Sequence, residues 1–153
     1  MRKIGYSTET DPEATARAIG RELDISPKAS VEVCRKIRGM MVEDAMNMLE
    51  NIISLKMPVE YRRYNGKVGH RKGRRFGAGR YPKKTAKAIL DVIKHAQHNA
   101  EYKGLDSENM KIVHLSSNRG MTVEGFIPRA HGRSSPFNHE TVNIEVVLEV
   151  IEE

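Results

Sequence analysis

The chain has 153 residues, enough for one domain with a modest core, and its formal net charge is +6. Its single cysteine, Cys34, excludes an internal disulfide and any cysteine-based metal site, and no stretch approaches the ~20 apolar residues that span a bilayer. Because no apolar run follows Arg2 and Lys3, the sequence predicts a protein of a reducing, intracellular compartment with no membrane partner.

The first predicted element is a short strand around Ile4 and Tyr6. A helix is expected from residue 10 to about Arg21, because Thr10-Asp11-Pro12-Glu13 combines a capping residue, a proline and acids, which mark a helix start. Residues 23–25, Leu-Asp-Ile, alternate like a second short strand.

Two further helices are predicted next. Ser26-Pro27 repeats the start signal, Val31, Cys34 and Ile37 form an apolar stripe at helical spacing, and Gly39 marks the end. The second helix has one apolar face, which consists of Val42, Ala45, Met46, Leu49, Ile52 and Ile53.

A strongly basic segment follows these helices. Between Arg62 and Lys87 there are 11 lysines and arginines and no acid, which leaves 15 bases against 20 acids elsewhere, a net charge of −5. Five glycines between positions 66 and 79 weaken both helix and strand. Residues 58–82 are therefore predicted to form an extended, irregular basic arm, a length of loop that is usually functional.

The C-terminal half combines one helix with two strands. Helical periodicity returns from about Lys83 to Lys103, with Gly104 as its end and a buried stripe of Ile89, Val92, Ile93, Ala96 and Ala100. The period then becomes two in residues 110–117 and again in residues 142–150, which predicts two strands.

The alternation of these strands constrains their pairing. In an ungapped hairpin, residue 113 lies opposite 148 and residue 115 opposite 146, which puts Val113 and Leu115 on the buried face and the turn at Ala130-His131. A bulge would change this count. Residues 118–128 add about 36 Å of extended chain, so residues 118–142 should form a projecting hairpin. An isolated ribbon is marginal in water, so an external partner is expected to embed it.

The local positive charge predicts binding to a polyanion, and nucleic acid fits best. Arginine clamps phosphates and stacks on nucleobases. Aromatic side chains also stack on nucleobases, and four of them interleave with the basic residues: Tyr61, Tyr64, Phe76 and Tyr81. A solvated linker is the alternative interpretation. The predicted RNA-binding residues are Arg62, Arg63, Lys67, His70, Arg71, Lys72, Arg74, Arg75, Arg80, Lys83, Lys84 and Lys87 in the basic run, with Arg119, Arg129 and Arg133 on the hairpin.

No catalytic constellation is visible, so no enzyme activity, cofactor or metal site is predicted. The basic run contains no Gly-x-x-x-x-Gly-Lys-Ser/Thr phosphate loop. His95 and His98 are three residues apart on a helix without a nearby cysteine, a pattern that favours exposed or phosphate-facing histidines over metal ligands.

Four segments together resemble a known family. They are Ser26-Pro-Lys-Ala-Ser30 with Ile37-Arg-Gly39, Ala96-Gln-His-Asn-Ala100, Pro128-Arg-Ala-His-Gly-Arg133 and Asn143-Ile-Glu-Val146. Over nearly the whole chain the sequence resembles the universal L-twenty-two family of large-subunit ribosomal proteins, called L-seventeen in eukaryotes. The helix near 12–21 and the arm near 58–82 resemble its archaeal and eukaryotic branch.

The resemblance implies a single α+β domain over residues 1–153, with three main helices packed on a small antiparallel sheet, a long projecting β-hairpin and an extended basic arm. It implies a cytoplasmic ribosomal protein that binds large-subunit ribosomal RNA, contacts neighbouring ribosomal proteins and helps the subunit to assemble. The hairpin tip would line the polypeptide exit tunnel beside the nascent polypeptide, through Ile127, Pro128, Arg129, Ala130, His131, Gly132 and Arg133.

A second class of function stays open from the sequence, a free-standing nucleic-acid-binding regulator or chromatin-like protein. Such proteins usually dimerise or carry a recognition helix, and the sequence shows neither feature.

Overall fold

The computed structural model describes residues 5–73, 76–107 and 109–151. Its helices are α1 (Pro27–Ile37), α2 (Val42–Ile53) and α3 (Lys83–Tyr102). Its strands are β1 (Thr15–Leu23), β2 (Val59–Glu60), β3 (Gly79–Arg80), β4 (Met110–Val123), β5 (Phe126–Pro128), β6 (Ser134–Pro136) and β7 (His139–Val150). The predicted α+β class, with three helices and an antiparallel sheet, is confirmed.

The main sheet has the strand order β1-β7-β4, and the helices pack on one of its faces. Central strand β7 contributes fully buried side chains to this face, namely Ile144, Val146 and Leu148. The β1 residues opposite them are small, and a Cβ at Gly20 would lie 2.6 Å from Val92 Cγ2 of α3. Small residues on β1 therefore allow α3 to approach the sheet closely.

The helices begin and end near the predicted residues, because local signals and the apolar stripes agree. The Ser26 side chain caps α1, and Gly39 and Gly104 take φ values of +79° and +75° after α1 and α3. The stripe of α3 is buried as predicted at Ile89, Val92, Ile93, Ala96 and Ala100.

The helix predicted over residues 10–21 is wrong, because β1 occupies most of that range. Its start signal forms only a turn, in which the Glu13 amide donates to the Asp11 carboxylate at 3.0 Å and the Thr15 hydroxyl donates to the Asp11 carbonyl. Residues 15–20 then pair with residues 149–144 of β7. This pairing supplies hydrogen-bond partners along one edge of β7, and such long-range contacts override local propensity.

Two short strands predicted near the N-terminus also differ. Tyr6 lies outside any strand, and Ile4 lies outside the described residues. Leu23 is the last residue of β1, whereas Asp24 lies in the bend that follows and Ile25 is buried before α1. The segment 23–25 is therefore the end of a longer strand and not a separate one.

A bulge in β4 corrects the predicted hairpin register. Leu115 lies opposite Val146, as predicted, but Leu148 pairs with Ile112 and not with Val113. The register shifts between Ile112 and His114, and the Val113 side chain is 44 % exposed. Because the extra residue reverses the alternation, Ile112 takes the buried position predicted for Val113.

The sheet face away from the helices contacts the N-terminal segment. Glu145 is 3 % exposed there and accepts hydrogen bonds from the Ser7 amide at 3.0 Å and the Ser7 hydroxyl at 2.6 Å. Burial raises the pKa of the Glu145 carboxyl. Hydrogen bonds from Ser7 and Ser116, together with His114, lower this pKa by more than burial raises it, so the net pKa lies below the ordinary value.

Acidification is expected to weaken this contact. Because the folded-state pKa of Glu145 is depressed, its contribution is present above the unfolded value of 4.5 and is lost as pH falls through the folded pKa. Glu145→Gln should lower stability by about 1–3 kcal/mol at pH 7 and flatten the loss of stability on the acid side. Urea denaturation at several pH values measures this, with exposed Glu50→Gln as control. A wild-type acid slope in Glu145→Gln would contradict the assignment.

Candidate nucleic-acid interface

The basic arm, residues 58–82, doubles back on itself at its base. Val59 of β2 pairs with Arg80 of β3, the Tyr61 amide donates to the Ala78 carbonyl at 2.9 Å, and the Gly79 amide donates to the Gly69 carbonyl at 3.1 Å. Elsewhere the described part of the arm, 58–73 and 76–82, contains no helix and no longer strand. Its two ends therefore lie side by side, which the sequence did not indicate.

A buried carboxylate attaches the start of the arm to α1. Glu32 is 2 % exposed, and its Oε1 accepts hydrogen bonds from the amides of Arg63 at 2.7 Å and Tyr64 at 2.8 Å. The adjacent Tyr61 ring is part of the core, and burial raises the pKa of its phenol. Sequence reasoning missed Glu32, because nothing in a helical pattern distinguishes a buried acid from a solvated one.

The arginines and tyrosines that interleave along the arm contact each other. The Arg63 guanidinium lies 5.5 Å from the centre of the Tyr64 ring, and that of Arg71 lies 5.2 Å from the centre of the Tyr81 ring. Arg71 Nε also donates to the Gly79 carbonyl at 3.0 Å. These contacts orient the rings, so Arg71 has a role within the arm in addition to its charge.

A groove of about 680 Å³ opens between the arm and the first turns of α1 and α3. None of the described residues that line it is acidic, whereas five are basic: Lys28, Arg63, Arg80, Lys83 and Lys84. Tyr61, Tyr64 and Tyr81 also face it. This groove brings together four of the predicted RNA-binding residues with Lys28, which was missed because it lies outside the acid-free run.

Both helices begin at this groove with positive charge. Neither α1 nor α3 has an acid in its first turn, and Pro82 gives α3 no side-chain hydrogen bond there. Because a helix N-terminus carries a partial positive charge, each lysine near it costs up to about 1 kcal/mol unless an anion compensates. The arrangement therefore favours an anionic ligand.

The other predicted residues of the basic run are spread around the groove. Those exposed outside it are Arg62, Lys67, His70, Arg71, Lys72 and Lys87, and those outside the described residues are Arg74 and Arg75. Some predicted RNA ligands have acidic partners within the chain: Arg62 lies 3.0 Å from Glu60, and Lys84 pairs with Asp24. On the hairpin, Arg119 lies 3.6 Å from Glu140. These exposed pairs are weak and can exchange for phosphate.

The hairpin extends beyond the last pairing of β1, where Leu23 lies opposite Val142. The ribbon continues through β5 and β6, and the chain reverses at Ala130–Gly132, which includes the predicted turn residues Ala130 and His131. The Arg129 amide donates to the Arg133 carbonyl at 2.8 Å, and His131 and Gly132 adopt φ values of +59° and +65°. The ribbon also carries exposed apolar side chains: Met121, Val123, Phe126 and Phe137.

Other kinds of site receive no support from the described residues. In that part of the chain, no three His, Cys, Asp or Glu side chains are grouped to hold a metal ion. Burial raises the pKa of the Cys34 thiol to about 12, so this cysteine is inert and belongs to the core. Within the same residues, no helix is both long and apolar enough to cross a membrane.

Comparison with known proteins assigns the chain to a family. The family described as Ribosomal protein L22p/L17e matches residues 18–149. The chain is 49 % identical over 150 residues to the large ribosomal subunit protein uL22 of Methanocaldococcus jannaschii, which covers 97 % of this chain and 96 % of the relative. It is 48 % identical over 151 residues to uL22 of Methanococcus aeolicus, with 97 % and 98 % covered.

A third archaeal relative, uL22 of Methanococcoides burtonii, is 49 % identical over 148 residues and is covered over 97 % of both chains. All three relatives are named as proteins of the large ribosomal subunit. Their methanogen sources also agree with the resemblance to the archaeal branch. With a family match over residues 18–149 and a relative that is 49 % identical over 97 % of this chain, the chain belongs to the L22p/L17e family of large-subunit ribosomal proteins.

Proposed function

We propose that this protein is a structural constituent of the large subunit of the cytoplasmic ribosome, where it binds large-subunit ribosomal RNA, contacts neighbouring ribosomal proteins and helps the subunit to assemble. The separation of charge carries this proposal. The run from Arg62 to Lys87 holds 11 bases and no acid, while the rest of the chain is net negative. The Glu32 carboxylate that binds amides of the arm is buried, and Glu60 and Asp24 form only weak surface pairs with Arg62 and Lys84, so the described lining of the groove remains cationic.

The basic arm (58–82) and the hairpin (118–142) are the two contact segments in this proposal. The arm supplies a compact cationic surface, and the hairpin supplies reach. A two-stranded ribbon with exposed Phe126 and Phe137 is unfavourable in water, which supports its insertion among RNA helices. Arg119, Arg129 and Arg133 then lie where phosphates surround the ribbon.

The tip, residues 127–133, lines the polypeptide exit tunnel beside the nascent polypeptide. Its residues from Pro128 to Arg133 are exposed. The tight turn at Ala130–Gly132 makes the end of the ribbon narrow, which suits it to a confined wall. This assignment rests on membership of the family together with the reach of the hairpin.

Sedimentation of assembled particles, combined with crosslinking, tests both the ribosomal role and the assignment of the hairpin tip to the exit tunnel. A variant with a photo-crosslinking residue in place of His131 should co-migrate with large subunits, leave them only at high salt and crosslink to a stalled nascent chain. The same crosslinker in place of Tyr102, an exposed residue at the end of α3, is the control and should not reach the nascent chain. Failure to co-migrate would contradict the ribosomal role.

Co-migration without a crosslink from position 131 to the nascent chain would contradict the tunnel assignment alone. The second candidate, a free-standing regulator or chromatin-like protein, predicts that the chain remains at the top of the gradient and binds duplex DNA. No recognition helix projects from the described fold, since all three helices pack in the core.

A further inference from the structure

We propose that the groove between the basic arm and the first turns of α1 and α3 binds one unpaired nucleotide of single-stranded RNA, with its base on the tyrosines and its phosphate at the lysines. This inference rests on the proposed function, because it specifies which form of RNA one surface of the protein takes. The volume of about 680 Å³ is within the range of pockets that hold small organic ligands.

The phosphate position follows from the two helix starts. Lys28 of α1 and Lys83 and Lys84 of α3 line the groove, and neither helix places an acid in its first turn, although Lys84 also forms an exposed pair with Asp24. The first turn of α3 has no side-chain cap, so its amide groups are available to an anion, apart from the Lys83 amide, which donates to the Tyr81 carbonyl. Backbone donors and lysines therefore line the same groove, where a phosphate compensates both.

Tyr61 adds a hydroxyl group to the groove. Its side chain is 6 % exposed and lines the groove, and its hydroxyl reaches solvent there and has no hydrogen-bond partner among the described residues. Such a hydroxyl can exchange its water for a ligand without breaking a bond within the protein. The ribose hydroxyl or the edge of a bound base supplies a partner here.

The base position follows from Tyr64 and Tyr81. Both rings are half-buried, and each is held against an arginine, at 5.5 Å for Arg63 and at 5.2 Å for Arg71. Rings held in this way lose little freedom when a base stacks on them, and such stacking tolerates any base. A paired duplex cannot offer a base face to a groove, so the occupant is an unpaired nucleotide.

An acidic peptide would satisfy the lysines but not the tyrosines. The affinities of three ligands distinguish a nucleotide site from a site for acidic peptides: hexa-adenylate, an abasic ribose-phosphate oligomer of equal length and a hexaglutamate peptide. The full chain should bind hexa-adenylate roughly 10-fold more tightly than the abasic oligomer, the gain that stacking of a base provides. Because the protein contains no tryptophan, tyrosine fluorescence reports the stacking directly.

Two variants then separate the base from the phosphate. Tyr64→Leu with Tyr81→Leu should abolish the preference for hexa-adenylate and leave the affinity for the abasic oligomer unchanged. Lys83→Gln with Lys84→Gln should weaken both oligomers, whereas Lys36→Gln with Lys94→Gln, exposed and outside the groove, should weaken neither. Should the leucine variant fail to fold, Tyr64→Phe with Tyr81→Phe, which keeps the rings, must retain the preference.

Equal affinity for the two oligomers, a preference that survives loss of both rings, or tighter binding of hexaglutamate would overturn the groove assignment. Each of these results leaves co-migration with large subunits untouched. The ribosomal role is judged by that separate measurement, so the two proposals fail in distinguishable ways.

Discussion

Glu32→Ala is expected to destabilise the fold by about 2–3 kcal/mol and to release the start of the basic arm. The Glu32 carboxylate accepts both the Arg63 and the Tyr64 amide from a nearly sealed position on α1. Alanine leaves these two donors without their partner and creates a cavity beside the arm. Because Tyr61 packs next to this contact, its ring should also lose part of its support.

Urea denaturation measures the loss of stability, and amide hydrogen exchange locates it. Exchange should accelerate at Arg63 and Tyr64 well before it does at Ala96 in the core of α3. Glu32→Gln preserves the shape and one acceptor oxygen, so its cost should be smaller. Glu50→Ala, on the exposed face of α2, is the matched control. Unchanged exchange at residues 63 and 64 would show that Glu32 does not hold the arm.

Binding of a large-subunit ribosomal RNA fragment is expected to weaken steeply with salt. If about six basic side chains of the arm contact phosphates, the logarithm of affinity should fall against the logarithm of salt with a slope of roughly −4 to −5. Fluorescence anisotropy over a range of potassium chloride concentrations gives this slope. A slope near zero would count against the arm as an RNA-binding surface.

Charge reversal assigns this slope to the arm. Lys67 and Lys72 of the arm and Lys87 of the same acid-free run are exposed and lie outside the groove, so their replacement by glutamate should reduce the magnitude of the slope by about 3 and prevent incorporation into large subunits. Lys36, Lys56 and Lys94 are exposed outside that run, and their replacement by glutamate changes the net charge equally. Equal effects of the two triple variants would mean that total charge matters and the arm does not.

The chosen lysines are better targets for these variants than the arginines in the most basic part of the arm. Arg71 holds the Tyr81 ring and the Gly79 carbonyl, so its replacement would change the shape of the arm as well as its charge. Arg74 and Arg75 lie outside the described residues. The lysines chosen keep charge separate from fold.

Much of the fold could be predicted where local signals and burial agree. The α3 stripe from Ile89 to Ala100 is long and regular, and a 20-residue helix that buries one face admits no competing period. The turn at Ala130–Gly132 was also predictable, because the alternation of two strands restricts where a hairpin reverses. The basic interface was visible for a similar reason, since a contiguous run of charge needs no fold to be recognised.

Predictions failed where a distant partner decided the outcome. The signal at residues 10–13 is typical of a helix start. Residues 15–20 are nevertheless more stable as a strand, because they pair with the edge of β7 and their small side chains let α3 pack closely on the sheet. The bulge at Val113 depends on how β4 and β7 pair with each other, so it cannot be predicted from the residue pattern of either strand alone. The role of Glu32 needs α1 to meet the arm 31 residues later.

By itself, the sequence determined the helices α1, α2 and α3, a long hairpin and a concentrated cationic segment, because periodicity and charge are properties of contiguous residues. The tertiary structure alone decided that the N-terminal segment is a strand, that the arm closes on a buried carboxylate and that Lys28 joins the tyrosines of the arm in one groove. Those features depend on contacts between residues far apart in the chain. Such contacts contribute to stability only when the elements are packed together.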